Sequence, residues 1–310
     1  MEYFSIFVTE TMSKISYKVL FLFSVLFIFS CTGEKSDDIS SEEEHLKPDI
    51  QESKFNAQNV FNTLPDRKLV MKLIEENRIE YNPDLLNDPN QANKYAVEIA
   101  KAVNLGIYGA DLSIASSFDQ TQESMVFLRC VNVLAGYLGV NSAFDQRMFE
   151  RIDANENNKD SILEIVTGAF KKVDEILKYN NRPATSAIIL SGCWIEGLYV
   201  SCQLAQENGT ESIIKAIVSQ KESLKNLIVM LEGVTLEENA RFILKDLKDL
   251  YKTYTIAETT TTYDKKAIES ITQKISKLRN KITNTVTDLA EASVKATPSQ
   301  TASSGLAKSF

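Results

Sequence analysis

The chain has one histidine in 310 residues, His45, and it falls in an acidic spacer rather than in a periodic segment. That scarcity excludes histidine-cluster zinc sites and any catalysis that needs an imidazole within the folded body. Cysteine is nearly as rare: Cys31, Cys130, Cys193 and Cys202 are all there are, too few for a disulfide scaffold. Cys193 and Cys202 sit on what reads as one helix, about 13 Å apart along its axis, too far to pair. Either could bridge to Cys130, but the low count favours three buried thiols. Six prolines leave long stretches without a helix breaker. No strand run or strand–helix alternation stands out, and no strict internal repeat. An all-α fold follows, a multi-helix bundle or helical-hairpin array in a single domain. No basic stripe appears anywhere, which argues against nucleic acid. No cofactor is expected.

What is present begins with grease. Residues 19–29, "VLFLFSVLFIF", form an apolar run diluted only by Ser24. As a helix it would span about 16 Å, roughly half a bilayer core, which suits a secretory signal better than a membrane anchor. Lys14 and Lys18 supply a positive flank. Ser30 precedes Cys31, and Ile28 lies three before it. This pattern resembles a bacterial lipoprotein signal, in which the cysteine thiol receives diacylglycerol and becomes the mature N-terminus. Phe29 departs from the small residue usual there. Met12 opens a more compact leader than Met1, free of Glu2 and Glu10. The rival reading is an uncleaved membrane helix with an incidental cysteine. Stable anchoring takes more than one acyl chain, palmitate among them, and the lipoprotein pathway would provide it.

Residues 31–54 hold eight acids against three lysines. With so few apolar residues they read as a flexible acidic tether that holds the body off the membrane. Acids just after a lipidated cysteine also resemble a surface-export signal. Both readings place the body at an outer membrane, facing the periplasm or the cell surface.

The domain proper is expected over 55–292, with a disordered tail over 293–310. Helices are predicted from about Asp66, with Leu69, Leu73 and Ile74 inward, and then near 91–116, 119–138, 142–152, 161–179, 184–207, 211–231, 236–256 and 264–291. "NPDLLNDPNQ" reads as a turn-rich connector. Ser161 and Glu164 suggest a capping box, and Gly209 a helix terminator. Leu236, Ala240, Ile243, Leu247, Leu250 and Tyr254 form one inward stripe. Ile268, Ile271, Ile275, Leu278, Ile282 and Leu289 form a second.

Two apolar stretches inside predicted helices, Pro183 to Gln206 and Ala102 to Phe118, carry a single charge each. "PATSAIILSGCWIEGLYVSCQLAQ" contains only Glu196, and "AVNLGIYGADLSIASSF" only Asp111. Helices apolar on every side belong in the centre of a domain, and their glycines permit close approach. Two buried acids side by side could share a proton, bind a cation, or orient a ligand with Tyr108, Trp194 and Tyr199. A binding site predicts a concave apolar surface at these residues, and an acid–base enzyme predicts both carboxyls converging in an open pocket. A structural role predicts both acids sealed inside and satisfied by partners, with the second stripe partly exposed.

"DANENNKDSILE" places oxygen side chains at Asp153, Asn155, Asn157 and Glu164 with the spacing of a calcium loop. Asn158 stands where a turn glycine belongs and Asp160 where an apolar residue belongs, so a capped helix–turn–helix competes with the metal reading.

At "NLGIYGADLS", "NNKDSILEIV" and "SAIILSGCWIEGLYVS" the chain resembles a group of uncharacterised lipoproteins from Bacteroidetes-type bacteria, through most of the body up to about residue 230. The resemblance implies a helical, exported, lipid-anchored protein and no activity. The resulting expectation is a non-enzymatic binding or scaffold domain, with a calcium-binding or acid–base enzymatic domain as the alternative.

Overall fold

The computed structural model describes residue 74 and residues 76–284, apart from 156–157 and 259–264. Cys31, the leader, the tether, the tail and most of the helix expected from Asp66 lie outside the described residues. Eight α-helices account for most of the rest, and no strand occurs among the described residues. They are α1 Glu98–Ser117, α2 Thr121–Leu138, α3 Gln146–Asp153, α4 Lys159–Tyr179, α5 Pro183–Asn208, α6 Glu211–Glu232, α7 Arg241–Glu258 and α8 Lys265–Thr283.

The boundaries follow local chemistry. The connector folds into two proline-led turns, Pro83–Leu85 and Pro89–Gln91. Each is capped by the preceding Asn82 or Asp88, whose side chain accepts a backbone N–H. The helix expected from 91 therefore begins only at Glu98, after an extended Val97. Asp119 and Asn181 adopt left-handed backbone at the α1–α2 and α4–α5 corners, a geometry their short polar side chains tolerate. Gly139, at φ 73°, ends α2 in the same region.

The cap of α4 is corrected. Asn158, rather than Ser161, is the N-cap, and its side chain accepts from the Ser161 N–H at 3.0 Å. Ser161 lies inside the first turn, so the Ser161/Glu164 box does not form.

Two parallel helices make the centre. Thr185 donates to Glu98, Gly192 lies against Gly106, and Glu196 faces Asp111, so α1 and α5 run in the same direction. At the crossing no side chain fits. A Cβ on Gly106 would fall 2.0 Å from the Ile189 carbonyl oxygen, and one on Gly192 2.0 Å from that of Val103. Nearby, Phe170 of α4 fills the space beside Gly109. The two backbones touch because both positions lack a side chain.

Around this pair, α2 and α4 cover α1, while α6 and α8 cover α5. Helix α8 runs antiparallel to α5, with Gln203 donating to Ser276 and Arg279 reaching Glu196. Both C-terminal stripes are interior. Leu236, Ala240, Ile243, Leu247, Leu250 and Tyr254 are buried, and so are Ile268, Ile271, Ile275, Leu278 and Ile282. The partial exposure considered for the second stripe is not seen among the described residues, outside which Leu289 lies. By length and composition α5 could cross a membrane, but 67% of its most apolar stretch is buried against its neighbours.

Candidate functional site

Helices α1, α5 and α8 bring three charged groups together in the core. Glu196 has no exposed surface, and its carboxylate accepts a two-point fork from Arg279, at 3.0 Å from Nε and 2.9 Å from Nη2. Such parallel, charge-assisted bonds are the strongest geometry an ion pair can adopt. The guanidinium also lies 4.7 Å over the ring of Tyr199. Burial alone would lower the Arg279 pKa, but the Glu196 carboxylate more than offsets it and the net shift is upward.

Asp111 is the third member, also without exposed surface. Its Oδ2 accepts the backbone N–H of Asn87 at 3.2 Å, whereas Oδ1 meets no donor group. Desolvation raises the Asp111 pKa well above its usual value, and the nearby Glu196 carboxylate raises it further. Arg279 and the Asn87 N–H act in the opposite sense and do not win. Burial and the Glu196 carboxylate thus both favour the protonated form of Asp111, and in that form it can donate to Glu196, which gives Oδ1 a partner. With Asp111 protonated, the charges of Arg279 and Glu196 balance one another.

A polar shell holds these groups in place. Asn87, in the connector, donates from Nδ2 to the Tyr95 hydroxyl at 3.1 Å and to Asn104 Oδ1 at 3.5 Å. Asn104 donates to the Ala100 carbonyl, and the Tyr108 hydroxyl to that of Asp88 at 2.7 Å. The network ties the connector to α1 at the level of the acids.

Of the residues singled out from sequence, Tyr108, Asp111, Trp194 and Glu196 are all interior, at 0–2% exposure. Tyr199 is half-buried beneath Arg279. Trp194 Nε1 is buried with no acceptor. A concave surface at these residues is not what the packing provides, and the carboxyls converge in sealed interior rather than an open pocket. Acid–base catalysis needs a group that a substrate can reach, and neither acid has exposed surface in this packing. A cleft of about 230 Å³ lies elsewhere, floored by Leu112, Leu128 and Ile152 and bordered by Ser116, Ser124 and Met125. None of the five predicted ligand-binding residues lines it.

Asn157 and the side chain of Asp153 lie outside the described residues. Asn155 turns its amide nitrogen to the Arg151 carbonyl at 2.7 Å, and Glu164 is exposed in the second turn of α4. Among the described residues, no group of three acid, histidine or cysteine side chains is placed to hold a metal. Cys130, Cys193 and Cys202 are free thiols. Burial pushes Cys130 up to about 11 and the other two up to about 12.

Sequence reasoning missed Arg279, Asn87, Tyr95 and Asn104. Arg279 had a signal, since it lies four residues after Ile275 and three before Ile282, on the flank of the inward stripe. Asn87 had none, because a connector gives no periodicity to read.

No family model, no curated relative and no solved structure matches this chain.

Proposed function

We propose that this protein is a lipid-anchored component of the bacterial cell envelope, held at an outer membrane through Cys31. Its helical body works without catalysis, as a scaffold or binding module. One observation carries the anchored part of the reading: Cys31 stands at the junction between an eleven-residue apolar run and a strongly acidic, low-complexity spacer. That order suits acylation followed by a solvated tether. The non-enzymatic part is supported by the interior of the body, where the two acids best suited to chemistry are consumed by Arg279 and by each other. A stable core cluster serves a rigid display platform and offers a substrate nothing to touch.

Metabolic labelling tests the anchor. In its native host the chain should take up a palmitate analogue, and Cys31→Ser should abolish uptake. Recovery of the polypeptide from the medium with its leader uncut would overturn the reading. Protease shaving of intact cells separates periplasmic from surface display. Native mass spectrometry of protein from its own cells identifies a retained ligand or partner.

A further inference from the structure

The C-terminal helical hairpin presents a basic face, which corrects the expectation that no basic stripe appears anywhere in the chain. Residues 1–240 contain 35 acids against 22 bases, and residues 241–283 contain five acids against ten bases. The two signs of charge are therefore separated along the chain. On α7, Arg241, Lys245, Lys248 and Lys252 recur at spacings of four, three and four, which places them on one helix face, and all four are exposed. They span about 16 Å along the axis.

Two acids of α7 pair with lysines of α8 across the seam, while Asp249, with 56% of its side chain exposed, also stays within reach of the charges of Lys245 and Lys252. Asp249 accepts from Lys274 at 2.7 Å, and Asp246 pairs with Lys281 at 3.7 Å. Glu232 engages Lys248 and Glu238 engages Arg241. Lys245, Lys252 and, on α8, Lys277 make no ion pair among the described residues. The aromatic rings nearby are covered, Phe242 by Lys281 at 3.9 Å and Tyr251 by Lys221 at 5.7 Å.

We propose that the outer face of the α7–α8 hairpin, centred on Lys245, Lys252 and Lys277, docks onto the anionic phospholipid headgroups of a membrane. The occupant follows from charge and shape. A broad helical face with spread cations suits a plane of phosphates, whereas single-stranded nucleic acid needs a groove and open aromatic platforms. The acidic remainder of the chain is repelled by the same plane, so the contact orients the body with the hairpin toward lipid. The anchored reading above enters only by keeping a bilayer within reach.

Lysine footprinting of the full chain on vesicles tests this. Bound to phosphatidylglycerol–phosphatidylcholine vesicles, Lys245, Lys252 and Lys277 should be modified about fivefold more slowly than on phosphatidylcholine alone. Added salt should remove the difference, because the contact is screened. Lys101 and Lys172 should be modified equally on both. The triple variant K245E/K252E/K277E should lose about a hundredfold in affinity for the anionic vesicles, at about fivefold per cation, with its circular dichroism and melting temperature unchanged. Equal modification on both vesicle types overturns the proposal. Protection of the three lysines by DNA but not by vesicles overturns it as well. Repeating the footprint on Cys31→Ser separates the two readings, since loss of acylation leaves the lysine pattern intact if the face acts as described.

Discussion

Arg279 and Glu196, 83 residues apart in the chain, meet in a two-point fork inside the core. Because α8 carries one partner and α5 the other, this pair fastens the last described helix to the centre of the domain. Asp111 adds a third helix to the same junction.

Removing one member of the pair should therefore cost more than removing both. Arg279→Met leaves the Glu196 carboxylate buried without its cation and should lower unfolding free energy in urea by about 3–5 kcal/mol. The double variant Arg279→Met/Glu196→Gln should recover a large part of that loss, because no uncompensated charge stays inside. Glu196→Gln alone tests function as well as stability. Retained partner binding would agree with a structural role.

Asp111 makes a prediction about pH. Its folded-state pKa is raised above the usual 3.8. The folded state therefore holds a proton that the unfolded state releases, and stability falls as pH rises from about 4 toward the folded value. Asp111→Asn removes that term. Urea titrations of the two proteins should agree most closely near pH 4, and the variant should become progressively the more stable as pH rises. A constant difference at every pH would show that the proton does not reside on Asp111.

The helix crossing is a steric matter. Gly106→Ala and Gly192→Ala each drive a methyl into a carbonyl oxygen of the facing helix and should cost about 3 kcal/mol, since backbone cannot move aside as a side chain can. Gly136 and Gly197 have open space at the same position. Their alanine variants should gain about 0.5–1 kcal/mol from reduced backbone freedom. Thermal melts of the four variants decide it.

The corrected cap of α4 gives a simple contrast. Asn158→Ala removes the acceptor for the Ser161 N–H and should cost about 1 kcal/mol. Ser161→Ala should cost clearly less. The reverse order would restore Ser161 as the cap.

The thiols report on the anchor. Burial pushes Cys130 up to about 11 and Cys193 and Cys202 up to about 12, so all three should resist an aromatic disulfide reagent at pH 8 until the protein is unfolded. In the native full chain, one rapid equivalent is expected if Cys31 is free and none if it is acylated.

Much of the fold was legible before any coordinates. The periodic stripes Leu236–Tyr254 and Ile268–Ile282 declared their inward faces, because a helix that buries one side repeats apolar residues every three to four positions. The long apolar stretches of α1 and α5, each broken by one acid, marked those helices as central. Helix starts were less legible. Asn158 and Ser161 are both good capping residues, and only backbone geometry chooses between them.

Sequence alone determined the helical class, the burial of each stripe and the unusual position of Asp111 and Glu196, since all three depend on neighbours close along the chain. Tertiary structure decided which partners those acids found. Arg279 comes from a helix more than 80 residues away, and Asn87 from a connector with no periodic pattern. It also decided that Asp246 and Asp249 pair with lysines of α8, which leaves Lys245 and Lys252 without an ion pair. The physical reason is common to both: charge is compensated in space, between helices whose packing order no local pattern records.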